Sequence, residues 1–221
     1  YRNVPFVEIE IRLGWKHASN GFDANIGKTH FDWIRDKLDS SSFLRCTGRD
    51  MVSNVYSHQG TLSRIITDDK HIILDRHVKR KLETVDLYAP GTPFDIRISV
   101  CIETPFSKKS RGSQNQIDIT DCTYVRKRVR TTYEYKMWRY DTTICVADKP
   151  SNLFVLDKDT FEFELELDVV AANRECTAST YLAHSAIMKI CDILTINAQE
   201  EIHLKSTDVC DRRRFKNNNK Q

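Results

Sequence analysis

Two stretches of the chain carry a carboxylate at every second position. Glu8 and Glu10 alternate with Val7, Ile9 and Ile11, and Arg12 follows in the same phase. Glu162, Glu164, Glu166 and Asp168 alternate with Phe161, Phe163, Leu165 and Leu167. A third stretch does the same with guanidiniums: Arg126, Arg128 and Arg130 share one phase, with Thr132 after them. Each stretch alone has an ordinary explanation, an antiparallel strand with its charged face in water. Together they suggest something else. Glu8, Glu10 and Glu166 would offer hard oxygen donors suited to Mg²⁺ or Mn²⁺. The arginine row would offer forked donors suited to phosphate oxygens. Acidic wall, cation, phosphate chain and basic wall, in that order, would carry metal-assisted phosphoryl transfer to water.

Side chains on a strand alternate faces with period two, so these rows need strands to present them. Strands are expected over about 4–13, 51–56, 62–67, 71–75, 78–88, 94–103, 124–133, 137–146 and 161–168. The breaks fall at Gln59-Gly60, at Asp68-Asp69 and at Pro90 to Pro93. Two further strands have a polar face, one with Asp95, Arg97, Ser99, Cys101 and Glu103, the other with Arg139, Asp141 and Thr143. So many short strands with few helices point to a mainly β (α+β) fold, a closed or nearly closed antiparallel barrel. A barrel of ordinary kind buries its apolar face and wets the charged one. Here the charged rows make sense facing inward, because a cation and a polyanion would satisfy both walls, and buried charges left unpaired are very costly. The apolar outside then needs a cover. A helix capped by Thr29, with Phe31, Ile34 and Leu38 as its buried stripe, and a second within about 178–198 with Ala183, Ile187, Ile190 and Leu194, would supply it.

The loop from Gly21 to Gly27, Lys28 and Thr29 resembles a phosphate-binding P-loop, yet it has one residue too many between the glycines and follows an alternating strand. A helix start explains it better. Residues 105–118 form a polar, basic and mobile loop in this reading, and Arg212 to Asn217 a solvated linker. A length of 221 residues fits a domain over 1–205 followed by a tail or linker at 206–221 leading toward a further domain. The chain starts at Tyr1, which suggests a piece of a longer polypeptide. Its 7 cysteines are scattered without Cys-x-x-Cys spacing, so neither a disulfide framework nor a thiolate zinc site is expected, and a reducing, intracellular setting is. No membrane partner is expected, since no apolar run approaches the length of a span. A net charge of +3 says little about nucleic acid by itself. The 7 histidines form no ligand-spaced cluster.

Four motifs in order carry a family resemblance: Val7 to Gly14, Phe161 to Glu166, Arg126 to Tyr133, and Arg139-Tyr140-Asp141-Thr142-Thr143, with Asp95 to Glu103 as an earlier strand. They resemble the triphosphate tunnel metalloenzymes, and within them the RNA 5′-triphosphatases of fungal, protozoan and large-DNA-virus mRNA capping. Arg128 stands where lysine is common. The resemblance implies an eight-stranded closed tunnel with a charged interior. It implies hydrolysis of the γ-phosphate of a 5′-triphosphate RNA end to leave a diphosphate, and of nucleoside triphosphates as well. Carried over residue by residue, Glu8, Glu10 and Glu166 would ligate Mg²⁺ or Mn²⁺, and Glu162 and Glu164 would orient waters. Arg97, Arg128 and Arg130 would contact phosphate, with Arg126, Arg139 and Lys81 as further candidates. Glu103, Asp141 and Thr143 would hold those basic side chains in place. Lys79 shares a face with Lys81, and no motif fixes that register. Two other functions stay open: a tripolyphosphate or thiamine-triphosphate hydrolase of the same fold, and a module that binds polyphosphate or RNA ends without chemistry. No Lys-x-Asp-Gly motif occurs, so guanylyl transfer would belong to another domain of the same full-length polypeptide. If the protein is viral, it would work at a cytoplasmic replication site or in the virion.

Overall fold

The computed structural model describes residues 4–17, 21–58, 62–106, 119–122, 124–146, 158–175 and 177–204, with side chains in the last helix as far as 195. Of the basic loop expected over 105–118, Pro105 ends a strand and 107–118 lie outside the described residues, as does the tail over 206–221.

The strands are β1 (Val7–Lys16), β2 (Phe22–Asp23), β3 (Arg45–His58), β4 (Ser63–Thr67), β5 (Ile73–Leu87), β6 (Asp95–Pro105), β7 (Tyr124–Tyr135), β8 (Trp138–Val146) and β9 (Thr160–Leu167). They form one antiparallel sheet in the order β2-β1-β6-β5-β4-β3-β7-β8-β9, and β1 also pairs with β9. That last pairing closes the sheet on itself, leaving β2 as a short appendage on β1. The result is the expected eight-stranded barrel. Closure leaves no free strand edge in the ring.

The apolar faces look outward. Ile11 and Leu13 of β1, Tyr133 of β7, Trp138 and Tyr140 of β8, and Phe163, Leu165 and Leu167 of β9 are buried in one cluster with residues from the helices. Helix α1 (Lys28–Ser40) contributes Phe31, Ile34 and Leu38, α2 (Val169–Arg174) Ala172, and α3 (Ser179–Leu204) Leu182, Ile190, Ile193 and Leu194. A smaller cluster of Tyr56, Ile65 and Cys122 packs under the turn at Ile119–Asp121. The hydrophobic core therefore lies outside the barrel wall, between sheet and helices.

Several local expectations need correction. The N-cap of α1 is two residues ahead of Thr29: Gly27, with φ +75°, holds that position and no side chain caps the helix. The stripes expected at 71–75 and 78–88 belong to one strand, β5, because no turn separates them. Helix α3 lies where expected but is rotated: Ala183 and Ile187 face solvent while Leu182 and Ser185 are buried. Trp138 fixes that rotation, since its buried indole Nε1 donates to Ser185 Oγ at 3.1 Å. A buried indole N–H needs such an acceptor.

Candidate active site

The closing ladder between β1 and β9 sets Glu10 opposite Glu166 and Arg12 opposite Glu164. On the other side of β9, Arg139 lies opposite Glu166, Asp141 opposite Glu164 and Thr143 opposite Glu162. β7 continues the row, with Arg130 opposite Thr143 and Thr132 opposite Asp141. Directly opposed residues point to the same face, so the register alone gathers these side chains on one side of the sheet. That side is the inside. A cavity of about 230 Å³ is lined by Glu8, Glu10, Arg12, Arg126, Arg128, Arg130, Arg139, Glu164 and Glu166.

Glu164 sits between two guanidiniums, 2.6 Å from Arg12 Nη2 and 2.8 Å from Arg130 Nη2. Burial alone would raise its pKa, but Arg12, Arg130 and Arg126 hold it well below the usual carboxylate range. Arg130 also donates to Asp141 Oδ2 at 2.7 Å and to Thr143 Oγ1 at 2.9 Å, and Thr132 Oγ1 donates to Asp141 Oδ1 at 2.7 Å. Arg126 pairs with Glu162 at 2.5 Å and donates through Nε to Cys145 Sγ at 2.8 Å. Arg139 pairs with Glu166. Thr143 thus bonds Arg130, and Asp141 bonds Arg130 and pairs with Arg139 at 3.3 Å.

Arg128 differs from its neighbours. Its Nε donates to Ser53 Oγ at 2.7 Å, and among the described residues no carboxylate reaches ion-pair distance of it. Burial, then Arg130, pushes it down to about 10. A half-buried cation with no carboxylate at ion-pair distance is placed to take an anion.

At the acidic wall the order of charges is reversed. Burial pushes Glu8 up to about 7, with Lys79 opposing and Glu10 and Glu103 adding to it. Burial likewise pushes Glu166 up to about 8 against the pull of Arg139. Lys79 Nζ touches Glu8 and lies 3.1 Å from Glu103 and 3.4 Å from Glu10. Among the described residues no three acidic, His or Cys side chains already form a ready cation cage. The donor chemistry nevertheless fits a hard divalent cation: three carboxylates on adjacent strands, two of them reluctant to ionise without positive charge beside them. Such a cation would share or replace the contacts of Lys79 and Arg139.

Two residues sit apart from the expectation. Lys81 is exposed and Lys79 occupies the wall in its place, although both keep one phase on β5, opposite Cys101 and Glu103 respectively; the register shift of β5 comes only after Lys81. Arg97 faces inward but its fork is engaged by Asp86, at 2.7 and 2.9 Å, and stacks over the Phe22 ring at 4.6 Å. It does not line the cavity. Conversely, the sequence reading assigned no role to Arg12, Ser53, Arg64, His77, Lys79 or Tyr124, which line or brace the wall. The phase of Arg12 with Glu8 and Glu10 was a usable signal; Arg64 and His77 carry none, being single charges on short or irregular strands.

The family described as mRNA capping enzyme, beta chain, matches residues 39–191. The mRNA-capping enzyme subunit beta of Cryptococcus neoformans is 29% identical over 126 residues, which cover 57% of this chain and 29% of that protein. The chain therefore spans under a third of that relative. The S. pombe RNA triphosphatase Pct1 superposes with a TM-score of 0.64 at 18% identity, covering 88% of this chain and 86% of that one. The triphosphatase of the mimivirus capping enzyme gives 0.53 at 15% identity, covering 88% and 92%. Motif order and an asparagine-rich end would single out the mimivirus enzyme, but the fold superposes better on Pct1, and both solved structures share the fold.

Proposed function

The chain belongs to the mRNA capping enzyme beta-chain family, and from that premise we propose that it removes the γ-phosphate of 5′-triphosphate RNA, the first step of capping. One observation carries the reading. Carboxylate and guanidinium rows face each other across one cavity, and Arg128 stands in it without a counter-charge.

Glu8, Glu10 and Glu166 would hold Mg²⁺ or Mn²⁺, which when bound supplies positive charge to the phosphate oxygens. Arg128 and Arg130 would neutralise the γ-phosphate, with Arg126 and Arg139 beside them. Such donors, fixed before reaction, stabilise charge on the transferring group without reorganising. Arg130 is held in place by Asp141, Thr143 and Glu164 together. Glu162 and Glu164 would orient the attacking water. Glu164, depressed by Arg12 and Arg130, is a weak base, so its part is to accept a hydrogen bond and fix direction. Nucleoside triphosphates would be cleaved too, since nothing in the wall reads a base. A guanylyltransferase domain in the same full-length polypeptide would take the diphosphate product. A reducing intracellular setting agrees with the free cysteines at 101, 122 and 145.

The test is release of labelled γ-phosphate from triphosphate-ended RNA with Mg²⁺, Mn²⁺ or chelator. Release should need a divalent cation. Glu8→Ala, Glu166→Ala and Arg128→Ala should each lower it by roughly 100-fold or more, the scale on which loss of one preorganised contact to the transition state acts. Near-normal turnover in all three variants overturns the assignment. Faster turnover of tripolyphosphate than of RNA would move the chain to the polyphosphate-hydrolase reading.

A further inference from the structure

A second cavity, about 430 Å³, opens beside the first and shares Glu8, Glu103, Arg139 and Glu166 with it. It is the vestibule to one end of the tunnel. Its lips carry two residues whose backbones are held in the left-handed region, Phe6 at φ +59° and Lys136 at φ +53°. Left-handed backbone is uncommon for residues other than Gly, Asn and Asp, and for a bulky one it is strained. Phe6 follows Pro5 in the turn just ahead of β1, and its carbonyl accepts from Glu103 N at 2.9 Å. Lys136 is in the hairpin turn between β7 and β8, where its neighbours Tyr135 and Trp138 pair. Glycine would fit either position more cheaply.

Phe6 is 56% exposed, although it lines this cavity. An aromatic held by a strained turn at a tunnel entrance, with its ring left in water, has no packing role to explain it. The opposite end differs. Gly14 shares the inner phase of Glu8, Glu10 and Arg12, and a Cβ there would stand 2.6 Å from the Phe22 ring and 2.2 Å from Asp23 O. β2 therefore folds across the inner side of that wall, and Phe22 fills the space beneath Arg97. Along β1, one end is stopped by an aromatic and the other is open with an aromatic on its lip.

We propose that the vestibule is a nucleoside subsite: the 5′ base of the substrate stacks on Phe6 while its phosphates pass Lys136 and Arg139 into the tunnel. This rests on the triphosphatase reading and specifies the direction from which the RNA enters. Stacking on an aromatic tolerates every base, because each has a π-face, and so suits an enzyme that must act on RNA ends of any sequence. The Lys136 ammonium and the Arg139 guanidinium offer positive charge between the stacking platform and the γ-phosphate grip.

The test compares kcat/KM for triphosphate-ended RNA with that for inorganic tripolyphosphate, which has no base, in the wild-type protein and in Phe6→Ala, Phe6→Trp and Lys136→Gln. Phe6→Ala should lower the RNA-to-tripolyphosphate ratio about tenfold, mostly through the KM for RNA, which is the scale of losing one stacked base. Phe6→Trp should keep the ratio. Lys136→Gln should lower it less and weaken its salt dependence. A ratio unchanged in Phe6→Ala, or a Phe6→Trp protein as impaired as Phe6→Ala, overturns the subsite. Failure of the functional reading looks different: wild-type protein that cleaves tripolyphosphate and leaves triphosphate RNA intact.

Discussion

At the scale of single residues, Glu8 and Glu166 link the cation to stability. Both carboxyls keep their protons in the folded chain up to about pH 7 and 8 respectively, chiefly because they are buried, whereas in the unfolded chain they ionise near 4.5. Between those limits the folded state holds more protons than the unfolded one, so stability falls as pH rises. Glu164 works in the opposite sense: held below the usual range by Arg12 and Arg130, it adds stability that is lost only in strong acid. In chelator, the melting temperature should therefore decline from about pH 5 to 8.5, and Glu8→Gln should flatten part of that decline. Saturating Mg²⁺ should reverse it, because binding displaces the protons, and apparent cation affinity should climb through the same window. Thermal melts at fixed ionic strength, with and without Mg²⁺, read both effects. A chelator melt that rises over this range would show that these carboxyls are ionised in the free protein.

At the scale of elements, register decides which side chains meet. The Gly14 position is the sharpest case, since β2 crosses it with Asp23 O and the Phe22 ring inside the radius a methyl needs. Gly14→Ala should push β2 off β1 and destabilise the chain by about 1–3 kcal/mol, the usual scale of overpacking. It should also release Arg97 from the Phe22 ring, which a loss of Phe22 protection in hydrogen exchange would reveal. A stability unchanged from wild type would mean that β2 is only loosely seated. The rows on β1, β7, β8 and β9 were legible from period-two alternation, because uninterrupted strands preserve phase over their whole length. Lys79 and Lys81 are not separable by alternation, since they share one phase of β5 and period two says nothing of position along the tunnel. The family resemblance implies a phosphate contact for Arg97, and no spacing within its strand reveals the partner that engages it, Asp86 on the neighbouring strand. For α3, two helical stripes one residue apart were both available in the sequence, and only the tertiary bond from Trp138 to Ser185 selects one.

At the scale of the whole molecule, stability and chemistry occupy opposite sides of one wall. Outside, Ile34 and Leu165 are fully buried where α1 and β9 meet the core. Inside, the barrel is filled by ion pairs, which as a class add little to stability over well-packed apolar replacements. Ile34→Ala should therefore cost about 2–4 kcal/mol, a large share of the stability of a single domain, and lower the melting temperature by several degrees. Below that temperature its phosphate release should stay close to wild type, because Ile34 packs in the outer core between sheet and helices. Arg128→Met should do the reverse. Arg128 is a half-buried cation whose charge is disfavoured by desolvation and by Arg130, with Ser53 Oγ bonded to Nε. An apolar side chain of similar length removes that unfavourable charge, so the melt should hold or rise by roughly 1 kcal/mol equivalent while turnover collapses, the trade expected where a site keeps strain for function. Melts and γ-phosphate release on the same two preparations decide it. If Arg128→Met unfolds the barrel while Ile34→Ala leaves the melt untouched, the tunnel charges are the scaffold, and the division between the two sides of the wall does not hold.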